Sequence, residues 1–189
     1  MKRLFNPTRN SKRPNRFDAR RISVLAFLVA VSLVVSFIES MLPSPILIVP
    51  GAKLGLGNVS ALIALIVSGI CDAYIVAALK CLLGALITGS VSGLMYSVPS
   101  ALLSLTVEAL LFVVVFDKIS IAMISLIGAI VFNCVQLFVA CLVTGVNMVV
   151  LLPWLMTAGL LAGAFTGLLT YYIVTKLPYS VYGASRQSA

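Results

Sequence analysis

Histidine is absent from the 189 residues, which removes the commonest metal ligand and the commonest general base at neutral pH. Charge is scarce: 10% of the residues are Asp, Glu, Lys or Arg, well below what a soluble domain uses to keep its surface wet. Carboxylates are scarcer still. Asp18, Glu39, Asp72, Glu108 and Asp117 stand isolated from one another, so no one segment supplies the clustered aspartates that hold Mg²⁺ against a diphosphate. Cys71, Cys81, Cys134 and Cys141 show no Cys-x-x-Cys spacing and read as small apolar residues of buried segments. A nucleotide-binding loop is missing too, because no glycine-rich stretch ends in Lys-Ser or Lys-Thr at the required spacing. Together these absences predict no cofactor, no metal centre and no catalysis by this chain alone.

What fills the sequence instead is hydrocarbon, with 61% of the residues hydrophobic. Residues 22–177 form one apolar tract whose charges are Glu39, Lys53, Asp72, Lys80, Glu108, Asp117, Lys118 and Lys176. A bilayer core about 30 Å thick takes roughly 20 helical residues per crossing, so the tract predicts an all-α integral membrane bundle of about six transmembrane helices. Breaks at 43–53, 69–72, 88–93, 117–118 and 145–147 place those helices near 22–42, 54–69, 72–88, 94–116, 119–144 and 148–175. The expected organisation is a basic tail at 1–21, a membrane domain at 22–177 and a short tail at 178–189.

The net charge of +8 is concentrated in the first tail, where Lys2, Arg3, Arg9, Lys12, Arg13, Arg16, Arg20 and Arg21 face only Asp18. A polybasic stretch beside a membrane helix is a topology signal drawn to anionic lipid, and a nucleic-acid partner is not expected. The apolar run after the tail is long enough to be helix 1 and lacks a following small-residue cleavage site. An even number of crossings then keeps both termini cytoplasmic in a multi-pass protein of the cell membrane, with Asp117-Lys118 inside and Lys53 alone outside.

At 1.5 Å per residue, sequence position converts to depth, and the polar residues sort into two levels. Glu39, Gly51, Lys53, Asn58, Asn133, Gln136 and Asn147, with Ser90 and Ser92, fall in the outer half. Either they converge on an outward-facing pocket for a small anionic or zwitterionic molecule, or Asn133 and Gln136 join helices while the others lie at the headgroup level. Lys53 is the sharpest candidate of the set, flanked by glycines that let a ligand approach the backbone. On the inner side Lys80 and Glu108 come to matching depth, as a structural ion pair or as a proton or ion relay. Asp72 is positioned to cap the third helix.

The segment Pro50-Gly51-Ala52-Lys53-Leu54-Gly55-Leu56-Gly57-Asn58, with Asp72 following an apolar stretch, resembles the Gx transporter family, also labelled heptaprenyl diphosphate synthase component I. That family is in turn similar to the S components of energy-coupling-factor transporters. The resemblance implies a six-helix S-component-like fold that binds a micronutrient, with the loop at 43–53 as a lid. It also implies partners: an energy-coupling transmembrane protein with its ATPases, or, from the second label, a prenyl synthase that this chain accompanies without catalysing. Ala26 and Ala30, four apart on helix 1, match the small residues by which S components contact their coupling partner, and the same spacing serves plain helix packing.

Overall fold

The structure is a computed structural model that describes residues 19–41, 55–89, 91–115 and 119–176. Among them every regular element is helical: α1 (Ala19–Met41), α2 (Val59–Val67), α3 (Ile70–Thr88), α4 (Val91–Val115), α5 (Ile121–Thr144) and α6 (Leu152–Lys176). One 3-10 turn, Leu56–Asn58, runs directly into α2, and another, Val149–Leu151, runs into α6. Five of these helices are long and apolar enough to cross a membrane, while Leu56–Val67 is a shorter apolar helix. The protein is therefore an all-α, membrane-embedded bundle.

Helix ends follow local chemistry. The Ser120 hydroxyl caps α5 by accepting the Met123 N–H at 3.3 Å. Gly69 begins α3 with φ of +107°, a conformation open to glycine and strained for other residues. Gly69, rather than Asp72, is thus the cap of α3. Asp72 lies in the first turn, where it receives a two-pronged bond from the Arg21 guanidinium of α1, with Nε donating at 2.8 Å. This bridge ties the starts of α1 and α3 at one end of the bundle and sets the two helices parallel.

The most extensive contact joins α5 and α6. Gly159, Gly163 and Gly167 line one face of α6, and that face lies directly on α5. A methyl group added at Gly167 would stand 2.7 Å from Ala122 Cα and 3.0 Å from Ser125 Cβ. Helices in lipid gain nothing from hiding apolar surface, so close backbone contact of this kind supplies the attraction. The outward faces are apolar, as at Phe27, Leu86, Leu110, Val114, Phe138, Leu161 and Phe165. The interior carries polar groups at many levels, among them Ser32, Ser36, Glu39, Ser60, Ser100, Ser104, Asn133, Gln136 and Thr170. Helix α2, buried throughout its nine residues, occupies the middle of one apolar cluster shared with α1, α3 and α4.

Overpacking the α5–α6 contact should cost about 1–3 kcal/mol. Gly167→Leu is expected to lower the thermal unfolding midpoint in detergent, whereas Leu168→Ala, at a neighbouring residue 62% exposed toward lipid, should leave it nearly unchanged. Equal midpoints for the two variants would show that the glycine face does not hold this contact.

Candidate functional site

The site is organised by the short helix. Leu56–Val67 rises only about 18 Å, so a chain that begins it at Gly55 begins it well inside the bundle. Three neighbours hold that first turn. The Gly55 N–H donates to Glu39 Oε1 of α1 at 2.7 Å, and the Ser32 hydroxyl donates to the Gly57 carbonyl at 2.8 Å. Lys80 of α3 donates from its ammonium to Asn58 Oδ1. Gly57 is small for a reason: a methyl group there would overlap the Ser36 hydroxyl and close the approach of α1. Gly55 adopts φ of +87°, and the Phe132 ring of α5 stacks near its position at 3.2 Å from where a side chain would begin.

The two levels expected for the polar residues merge here. Asn58 and Lys80, placed in separate halves by counting residues along full-length helices, are in direct contact. The reason is geometric: α2 spans about half a membrane, so its first turn sits near mid-depth rather than at the surface. Glu108 of α4 is 4% exposed and stands in the wall of a small cavity of about 10 Å³, room for about one water. Asn58, Ser125, Phe132, Gly163 and Thr166 share that wall. Gly128 of α5 leaves space for the Glu108 carboxylate, which a methyl group would overlap.

Asn133 is wholly buried one turn before Gln136 on α5. Its Nδ2 donates to the Leu155 carbonyl at 3.3 Å, through the gap left by Gly159 on α6, while its Oδ1 has no hydrogen-bond partner among the described residues. An unpartnered buried amide oxygen is costly in hydrocarbon. Asn147 is exposed at the far end and accepts the Val149 N–H at 3.2 Å, a local turn apart from the interior group. Gly51, Lys53, Ser90 and the proposed lid at 43–53 lie outside the described residues. Ala26 and Ala30 are exposed on the outward side of α1.

Several buried polar residues escaped the reading of single positions. Ser97, Ser100 and Ser104 recur at helical spacing on the face of α4 that also carries the expected Glu108, and all are buried. Ser32 and Ser36 repeat the pattern on α1, in line with the expected Glu39. That periodicity was present in the sequence, inverted from the usual amphipathic helix: the polar stripe faces inward. The Ser125–Thr166 hydroxyl pair, 2.7 Å apart across α5 and α6, had no such signal, because it depends on the register of two helices.

A family profile described as heptaprenyl diphosphate synthase component I matches residues 28–173. The chain belongs to that family. The match runs from α1 through most of α6 and so takes in the whole polar interior of this component I family member. No curated protein and no solved structure matches the chain.

The fit between Glu108 and Gly128 yields a size-complementation test. Gly128→Ala should lower the unfolding midpoint, and Glu108→Ala in the same chain should recover part of the loss, a coupling of at least about 1 kcal/mol in a double-mutant cycle. Additive losses would place the Glu108 carboxylate away from Gly128.

Proposed function

We propose that the protein is a membrane-embedded binding subunit that captures a small polar molecule, a micronutrient or cofactor precursor, within its bundle, and that partner proteins supply the energy for uptake. The observation that carries this reading is the start of α2 inside the bundle, with Glu39, Asn58 and Lys80 gathered around it. Discontinuous helices of this kind expose backbone N–H groups and charged side chains at membrane depth, where they can meet a ligand. The unpartnered Asn133 oxygen supports the same reading, with Gln136 beside it on the same face of α5. Gly51 and Lys53 complete the proposed ligand set, and Asn147 is proposed to act at its rim.

In this reading both termini are cytoplasmic, the protein resides in the cell membrane, and residues 1–21 and 178–189 are tails to the membrane domain at 22–177. Ala26 and Ala30 would face an energy-coupling transmembrane protein, for which their exposure on α1 leaves room. A second reading has its own support in the family name: a non-catalytic membrane component that accompanies a prenyl diphosphate synthase. The scattered carboxylates of the chain speak for an accessory rather than a catalytic part.

Native mass spectrometry of the gently solubilised protein separates the readings. A retained small molecule, with coupling ATPases as companions lost in Ala30→Leu, is the expected result. Asn133→Ala should weaken ligand binding at least about tenfold, the loss of one buried hydrogen bond to a polar group. Unchanged binding in Asn133→Ala, or copurification with a prenyl synthase whose activity needs this chain, would favour the accessory reading instead.

A further inference from the structure

Asn58 stands at the N-cap of α2, the position from which an asparagine side chain ordinarily accepts an N–H from the first turn of its own helix. It makes no such bond. Its Oδ1 accepts from the Lys80 ammonium of α3 instead. The start of α2 is thus held from outside, by a cation on a neighbouring helix, and the sign of that cation is unfavourable. A helix N-terminus carries the positive end of the backbone dipole, so an ammonium beside it is repelled. Lys80 is 8% exposed and lies about 15 Å along α3 from Ile70, a depth at which a charge needs a counter-charge from the protein.

The described carboxylates differ in their fitness for that task. Asp72 is bound by Arg21 and lies about 12 Å along α3 from Lys80. Glu39 of α1 accepts the Gly55 N–H, and both it and Lys80 keep further interactions of their own. Glu108 of α4 is the carboxylate on which Lys80 acts by charge. It also lines the same small cavity as Asn58, the residue that Lys80 bonds. Glu108 is itself buried, and Gly128 of α5 yields the space in which its carboxylate sits. A carboxylate in this place offsets the repulsion between the ammonium and the first turn of α2, and so lets Lys80 keep its bond to Asn58.

We propose that Glu108 is a positioning residue for the start of α2: its charge holds Lys80, Lys80 holds Asn58, and α4 thereby sets where the first turn of α2 stands. The link belongs to the bundle and holds whether the protein captures a small molecule or accompanies a synthase. Where a molecule is captured at that turn, Glu108 shapes its site without touching it.

Hydrogen–deuterium exchange of the full chain in detergent micelles, read by mass spectrometry, tests the link. Peptides spanning 55–62 report the first turn of α2, and peptides spanning 134–144 report a part of α5 away from Glu108. Glu108→Gln keeps the volume and removes the charge. It should speed exchange at 55–62 about tenfold, the size expected for loss of a hydrogen bond to a charged group, and leave 134–144 unchanged. Lys80→Met should do the same, and the double variant should be no worse than Lys80→Met alone, because the three residues act in series. Unchanged exchange at 55–62 in Glu108→Gln overturns the proposal, as do an equal rise in both regions, which is a general loss of stability, and losses that add in the double variant. Should Glu108→Gln fail to fold, the same substitution in an Asn58→Asp background carries the test, since Asn58→Asp gives Lys80 a direct counter-charge. Recovered folding with slow exchange at 55–62 is the expected result there, and continued failure to fold overturns the proposal.

Discussion

A helix that rises about 18 Å cannot cross some 30 Å of hydrocarbon, and its first backbone N–H groups must find acceptors without water. The rest of this interior is arranged around that requirement. Glu39 takes the Gly55 N–H, Ser32 donates to the Gly57 carbonyl, and Asn58 at the end of the first turn is met by Lys80. Each of these partners comes from a different place on α1 or α3, and the Arg21–Asp72 bridge at the termini end fixes those two helices side by side. Without α2 the charges on α1 and α3 would have no reason to be at this depth. With it, Glu39 and Lys80 each meet a partner inside the bundle.

The same logic explains why glycine recurs where side chains cross. Gly57 admits Ser36, Gly128 admits Glu108 and Gly159 admits Asn133. In each case a polar side chain occupies the volume that a neighbouring helix gives up. These positions therefore do two jobs at once: they bring backbones close enough for dispersion to hold helices together in lipid, and they let a costly polar group reach the middle of the bundle. A glycine stripe in this protein is as much a record of its polar interior as of its helix packing.

Membership of the component I family and the geometry of the interior bear on different questions. The family name speaks of a synthase component, while the buried amides, the lysine and the two glutamates make up a polar interior. The carboxylates of the described interior sit on α1, α3 and α4, held by Gly55, Arg21 and the small cavity respectively, and they do not gather into a diphosphate-binding cluster.

The sequence alone determined the solvent and the secondary structure. An apolar tract with few charges leaves helix as the backbone arrangement that satisfies itself in lipid, and the breaks in that tract placed the helices within a few residues of where they lie, as for α4 at Val91–Val115. It also gave the inward stripe of α4, because periodicity on one helix needs no knowledge of its neighbours. Depth and partnership were decided only by the tertiary structure. Residue counting puts Asn58 in the outer half and Lys80 in the inner one because it assumes that each helix spans the membrane, and α2 does not. Asp72 had the position of a cap, yet its partner is a guanidinium 51 residues away in sequence. Such pairings depend on the register between helices, which is set by where glycines let two backbones approach, and no single segment carries that information.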